Sequence, residues 1–413
     1  MREMKDSGVT WIGEIPDKWN LLPVKRFFRA EKRIVGDAVN EYERLALTMK
    51  GVIKRSKDDN EGLQPEKFEG YQILRENELV FKLIDLENVK TSRVGLSPYT
   101  GLVSPAYIVL SNRKKDNRFY YYWFLCMYYT EVFNQLGGAG VRSALTAKDV
   151  CLLPVPTTDE DEQTRIADYL DDKCSKIDTI IAKQEKIIEK LKEYKSSYLN
   201  EQFNKKEQKS TTCHVGFLGK MKNGLNFSDT VLGNEIKILG VGDFKENYYL
   251  NRLEQFSTVH LDDMVDADYY LKDEDIVFVR SNGSKELVGR AVMVENINFP
   301  LVFSGFCIRF RNSRSDIIDS KYLLYFFRSP DFRKELEKYS YGSNISNMNQ
   351  ALLSQIAITF PSLDEQRKAI KDFETKMFAI NSAIYKRAKI SEMLLQYKKS
   401  LIYECVTGKK DIM

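Results

Sequence analysis

Histidine and cysteine are scarce, and that scarcity excludes several kinds of chemistry at once. The chain has two histidines, His214 and His260, and six cysteines, Cys126, Cys151, Cys174, Cys213, Cys307 and Cys405, none in a C-x-x-C pair. A zinc site or a dithiol redox motif needs closer spacing, so the cysteines are expected to be reduced, mostly buried thiols, and no metal is expected. Isolated histidines are ordinarily structural, and no H-E-x-x-H pair or G-x-x-x-x-G-K-[ST] phosphate loop occurs. Gly240 and Gly242, in ILGVGDF, stand without the remainder of a nucleotide-binding fingerprint and read as a tight turn. No catalytic residue and no cofactor are therefore assigned. Long apolar runs are missing too. The longest, residues 119–129, is too short to cross a bilayer, and MREMKDSGVTW at the start lacks the apolar stretch of a leader, so a cytoplasmic protein is expected. A net charge of +4 on 413 residues permits nucleic-acid binding without arguing for it.

What is present is a repeat. Shifting the sequence by 203 residues lays DEQTRIADYL and the thirty-one residues after it on DEQRKAIKDF and its continuation. Asp161, Glu162, Gln163, Ile177, Leu191, Tyr194 and Lys195 meet Asp364, Glu365, Gln366, Ile380, Leu394, Tyr397 and Lys398. Both copies place apolar residues at alternating steps of three and four, the heptad pattern of helices packing on helices. The first seam includes Ile177, Gln184, Ile187 and Leu191, and the second Ile380, Arg387, Ile390 and Leu394. Both are interrupted by polar residues at the same registers, Lys173 with Lys376 and Gln184 with Arg387, and neither copy contains Pro or Gly. A helix from Ile166 to Tyr198 would rise roughly 50 Å at 1.5 Å per residue. If the two pair antiparallel, Gln184 and Arg387 are expected to meet near the middle, while Lys173 and Lys376 stay apart.

The segments preceding the helices share a plan. An acidic turn leads into an apolar triplet (Leu79, Val80, Phe81 against Ile276, Val277, Phe278), a Gly turn follows (Gly95, Gly289), and a further strand follows a serine (Ser104, Ser304). Then come an aromatic helix, a Gly-rich loop and a strand near a proline. The expected fold is α+β: two similar mixed α/β recognition domains at 1–158 and 206–362, each followed by a long helix at 159–205 and 363–413, with the helices paired as an antiparallel coiled coil. The aromatic clusters are expected to be core rather than base-stacking platforms.

Binding to DNA needs cations for phosphates and hydrogen-bonding side chains for base edges. Residues 50–57, KGVIKRSK, expected as a loop, supply Lys50, Lys54, Arg55 and Lys57. Residues 280–285, RSNGSK, supply Arg280, Asn282 and Lys285, side-chain types suited to guanine and adenine edges. The Gly-rich loops before the helices add Arg142, Ser143, Ser343 and Asn344. The competing reading of each is a solvated surface loop.

The closing SLIYECVTGKKDI, the opening SGVTWIGEIPDKWNLLPVKRFF and the repeated D-E-Q helix start resemble the specificity subunits of type I restriction-modification enzymes. The resemblance covers essentially the whole chain, though its globular parts match only as a pattern. It implies a non-catalytic subunit reading a two-part site on double-stranded DNA, with two methyltransferase subunits docked on the helices and restriction (endonuclease/translocase) subunits as further partners. No Asn-Pro-Pro-Tyr-like element is found, so methylation chemistry would sit on a partner. Two departures stand out: extra residues (TTDE) between Pro156 and Asp161, and YLNEQFN in place of Val-Thr-Gly after the first helix. A stand-alone DNA-binding repeat protein and a coiled-coil scaffold without DNA binding are the alternatives.

Overall fold

The structure, a computed structural model, describes residues 2–59, 67–86, 92–112, 116–137, 144–203, 210–226, 233–244, 247–261, 265–284, 286–338 and 347–412. Two helices of 44 residues each, Glu160–Phe203 and Leu363–Val406, dominate it, and they begin and end 203 residues apart. The chain divides into two compact units. One comprises Met1–Gln184 and Lys389–Met413, the other Glu185–Ala388. Each unit thus takes half of each long helix, which differs from the expected segmentation into domains and separate helices.

The halves run antiparallel within each unit. In the first, the Lys398 ammonium donates to Asp178 at 2.7 Å, bringing the end of the second helix to the beginning of the first. In the second, Lys195 donates to Asn381 at 3.2 Å, and Tyr198 stacks on Phe373 with centroids 6.2 Å apart. The donor lysines are themselves 203 residues apart, as are their acceptors, so both units are built on one helix-pairing geometry.

The same fold is laid on each pair. Unit 1 has a sheet ordered Arg29–Glu31, Ile108–Ser111, Leu79–Phe81, Val94–Leu96, and unit 2 repeats it as Gly219–Asn223, Cys307–Asn312, Ile276–Val279, Ala291–Val294, with Tyr249–Leu250 added at the edge. A second sheet orders Gly51–Arg55, Arg44–Thr48 and Gly101–Val103 in unit 1, with Gln72–Leu74 beyond. Unit 2 matches it with Ser257–Leu261, Asn234–Leu239 and Leu301–Phe303, and in both sheets the second and third strands are parallel.

Turn chemistry explains why both triplets form strands where they do. Asn77 and Glu274 adopt left-handed φ of 63° and 67°, and the next residue, Glu78 or Asp275, accepts from the backbone N–H three positions earlier. Those carboxylates are buried and held by a two-pronged arginine, Arg33 on Glu78 and Arg311 on Asp275, geometry a guanidinium provides and an ammonium cannot. The repeated D-E-Q is explained similarly. The buried amides of Gln163 and Gln366 donate to the carbonyls of Thr158 and Pro361, closing each long helix at its start.

Several expectations are corrected. The strand before the helix is Pro154–Thr157 in one unit and Ala357–Phe360 in the other, again 203 apart, so TTDE contains no extra residues. The buried line of the first helix runs through Leu170, Cys174 and Ile177, so Lys173 stands beside it, where its ammonium lies 5.5 Å over the Tyr169 ring. On the second, Phe373, Met377 and Ile380 are buried while Lys376 is exposed over Tyr194 and Ile390 is 44% exposed. Ile187, Leu191 and Leu394 are half-buried. A straight helix drifts from a strict heptad, and here the globular cores, more than a helix–helix seam, choose the buried face.

Each core takes in both long helices. In unit 1, Trp19, Phe81, Tyr120, Trp123 and Phe124 pack with Ile166 and Leu170 and with Leu401, Ile402, Cys405 and Val406. In unit 2, Phe278, Phe310, Tyr322 and Phe326 pack with Leu199 and Phe203 and with Phe373, Met377 and Ile380. The aromatic helices, Arg118–Tyr129 and Ser320–Phe327, are therefore core. Tyr122 donates to Asp171 at 2.6 Å and Tyr325, its counterpart, to Glu374 at 2.9 Å. All six cysteines are free thiols, and four are buried. Among the described residues, no helix is long and apolar enough to cross a membrane.

The C-terminal Val-Thr-Gly-Lys closes unit 1 on the other end of the chain. Thr407 is buried, Gly408 turns left-handed at φ 71°, and the Lys409 ammonium and Tyr403 hydroxyl both donate to the Ile12 carbonyl. A Cβ on Gly408 would lie 2.3 Å from Pro16 Cγ and 3.2 Å from the Trp19 ring. In unit 2 the equivalent helix end is Phe203, which packs on Tyr322, Tyr325 and Phe373, so the YLNEQFN ending is an aromatic plug in place of a glycine turn. Gly408→Val is expected to destabilise unit 1 by roughly 2–4 kcal/mol through backbone strain and overpacking. Hydrogen exchange checks it: protection should fall in residues 119–129 and persist in 320–327.

Candidate nucleic-acid interface

In unit 1 the basic stretch is not a loop. Gly51–Arg55 is a strand at a sheet edge, hairpinned to Arg44–Thr48, with Val52 buried and Ile53 and Lys54 exposed. Lys50 is exposed at the hairpin turn, and Lys54, Arg55 and Lys57 line one groove with Tyr42, Arg44 and Ser56. These cations are already engaged. Lys54 pairs with Glu43 at 2.5 Å, Arg55 with Asp59 at 2.6 Å, and Lys57 donates to the Val39 carbonyl at 2.7 Å. The bond to Glu43 raises the Lys54 ammonium above its ordinary value, so it stays charged. A phosphate approaching this groove meets partly neutralised charge.

In unit 2 the segment after Ile276–Val279 is drawn to two others. The Arg280 N–H donates to the Phe306 carbonyl at 2.7 Å, and the Arg280 guanidinium reaches the Gly305 carbonyl at 3.4 Å. The Arg280 carbonyl accepts from Met348, and Ser281 bridges Asn347. The Asn282 side-chain oxygen accepts from the Ser284 N–H at 2.7 Å, fixing the turn and orienting its amide. Arg280 and Asn282 thus share one half-exposed patch with Asn347. Lys285, Arg142, Ser143, Ser343 and Asn344 lie outside the described residues.

Nearby carboxylates serve the frame. The exposed Asp268 is held at about 2 by the Lys222 ammonium, which donates to it at 2.8 Å, with the buried Arg309 guanidinium beside it. His260 is within the strand Ser257–Leu261 and His214 ends Thr211–His214, paired with Ala357. Among the described residues no cluster of metal-ligating side chains occurs. Gln184 ends the first part of unit 1 and Arg387 lies in unit 2, so their expected pairing is not internal to either unit.

Residues 213–389 match the family described as type I restriction modification DNA specificity domain. The chain is 28% identical over 145 residues to the type I restriction enzyme StySPI specificity subunit of Salmonella potsdam, and 27% identical over 146 residues to the EcoKI specificity subunit of Escherichia coli (strain K12). Each alignment covers 35% of this chain and 31% of the relative, so the match spans under a third of those proteins' length. A solved chain from work on complex assembly and conformational transition of the type I R-M system superposes with a TM-score of 0.72 at 13% identity, covering 96% of this chain and 99% of that one. The HsdS subunit from Thermoanaerobacter tengcongensis gives 0.53 at 13% identity, with 96% and 98% covered. At such identity these likenesses show a shared fold.

One residue the sequence reading passed over is central to unit 1. Arg93 is 1% exposed, and its guanidinium donates to the carbonyls of Ile84 at 3.0 Å and Asp85 at 2.7 Å. Burial lowers its affinity for the proton from the ordinary value, and the carbonyls compensate the charge. It holds residues 82–86, the counterpart of the Arg280 segment, against Val94–Leu96. The signal available was a lone cation opening a strand of apolar residues. Arg93→Ala is expected to cost about 2–4 kcal/mol by stranding buried carbonyls and leaving a void, read as a lower urea midpoint. Lys54→Ala should leave that midpoint in place.

Proposed function

We propose that this chain is a type I restriction-modification specificity subunit, the non-catalytic DNA reader of such a complex. Each unit reads one half of a two-part site on double-stranded DNA, and methyltransferase subunits dock on the long helices. Restriction subunits are further partners of the assembled complex. The observation that carries this reading is the repetition of one fold in two units, each built on paired halves of the same two long helices, with different exposed groups. Two similar readers in one chain suit a site in two halves, because the shared frame is kept while the exposed residues differ in sequence. In this reading the polar breaks at Gln184 and Arg387 help fix the register of the helices, as polar residues in a seam do. The candidate DNA-contacting residues are Lys50, Lys54, Arg55 and Lys57 in unit 1, the last three exchanging their present partners for phosphates, with Arg142 and Ser143 from its glycine-rich sequence. Unit 2 supplies Arg280, Asn282 and Lys285, with Ser343 and Asn344.

Methyl transfer tests the assignment. The purified chain with S-adenosylmethionine and DNA is expected to transfer nothing, whereas the same chain with the methyltransferase that co-purifies with it should methylate DNA at one two-part sequence. Transfer by the chain alone, or co-purification with no methyltransferase, would reject the reading; the second result favours a stand-alone DNA-binding repeat protein.

Modularity gives a further expected outcome. Replacing residues 1–158 by the corresponding domain of a relative should change one half of the methylated sequence and leave the other half and the gap unaltered. Sequencing the methylated sites checks this, and simultaneous change in both halves contradicts two independent readers.

A further inference from the structure

One aromatic side chain is held out to solvent on a turn whose serine-based core the two units share. The turn between Leu301–Phe303 and Cys307–Asn312 places Phe306 at its tip with the ring 63% exposed. Single exposed apolar residues are ordinary on protein surfaces, so exposure alone says little. The frame is less ordinary. The Phe306 carbonyl accepts from Arg280 at 2.7 Å, the Gly305 N–H donates to Leu225 at 2.7 Å, and Cys307 donates to Ser304 at 2.8 Å. A Cβ on Gly305 would press on the Asn226 side chain and lie 3.1 Å from the Leu225 carbonyl oxygen, so the turn is closely packed against that segment. Two other chain segments therefore fix the turn, and the ring at its end takes part in neither hydrophobic core of unit 2 that flanks it.

Unit 1 has the same turn with another tip. Tyr107 donates to the Ser104 carbonyl at 3.1 Å and the Ala106 N–H to the Ser104 hydroxyl at 3.3 Å. In unit 2, Cys307 repeats the first bond and Phe306 the second, at 3.4 Å to the Ser304 hydroxyl. Ala106, also exposed, therefore occupies the place of Phe306. A position whose backbone is kept and whose exposed side chain changes from methyl to phenyl is shaped by what lies outside the fold. Its neighbours say what that is: Arg280 is bonded to the turn itself, and Asn282 and Asn347 flank Arg280. Guanidinium and carboxamide groups read base edges, and alanine and phenylalanine both make apolar contact with bases, notably the thymine methyl.

We propose that Phe306 is a specificity-determining residue that contacts the apolar surface of one base pair in the half-site read by unit 2. The proposal rests on the reading of the chain as a DNA-recognition subunit and adds a residue that no charge or hydrogen-bonding pattern would select. Because the ring is exposed, removing it costs the fold little, which separates a role in binding from one in stability.

The experiment uses the full chain in complex with its methyltransferase and measures duplex affinity for the methylated sequence, for every single base-pair variant of it, and for unrelated DNA. Phe306→Ala is expected to weaken binding to the methylated sequence about tenfold, the cost of one mismatched pair. It should flatten preference at one position of one half-site and leave affinity for unrelated DNA and the melting temperature unchanged. Phe306→Leu should retain part of the preference. An unchanged preference at every position, or an equal loss on all sequences, overturns the base contact while the wild-type complex still discriminates. A wild-type complex that prefers no sequence overturns the DNA-reading function itself, and the inference with it.

Discussion

Neither globular core closes without the ends of both long helices. Unit 1 is completed by Leu401, Ile402, Cys405 and Val406, which arrive from the far end of the chain, and unit 2 by Leu199 and Phe203 together with Phe373, Met377 and Ile380. An isolated 44-residue helix of this polarity would have little reason to form in water, since most helix stability comes from packing an apolar face. Here each half of each helix finds that face in a unit, so folding of the units and pairing of the helices are one process.

The consequence is a separation between what holds and what can vary. Two-pronged arginines on the buried Glu78 and Asp275, glutamines at the two helix starts, and the turns at Ser104 and Ser304 recur in both units with the same kinds of bond. The groups projecting from that frame do not recur: an edge-strand groove of paired cations in unit 1, and Arg280 with Asn282 beside an exposed Phe306 in unit 2. A fold that satisfies its own buried polar groups internally leaves its surface residues free to be chosen by a ligand.

Much of this was legible because period and repetition are local properties. The 203-residue shift, first seen as matching residues from Asp161 onward, holds for secondary structure from Thr146 and Asn349, which cap equivalent short helices by accepting from backbone N–H groups three residues on. The aromatic helices read as core for the same reason, an apolar face at helical spacing. The misreadings have physical causes. KGVIKRSK looked like a loop because its cations mask a single inward valine, and pairing with Arg44–Thr48 made it a strand. Lys173 and Ile390 looked like seam positions because a heptad was counted without the globular cores that turn each helix slightly away from it.

By itself the sequence determined the repeat, the two uninterrupted helices, the α+β character of each unit and the absence of a recognisable catalytic motif, since spacing and residue type suffice for these. Only the tertiary structure decided that the compact units cut each helix in half, that Arg93 is a buried clamp, and that Phe306 stands on a fixed turn beside Arg280. The reason is that partners distant in the chain settle those facts. A carbonyl from residue 84, another from residue 225 and a helix end at residue 406 exert no influence on the local pattern of a sequence, and act only when folding brings them within hydrogen-bond or packing distance.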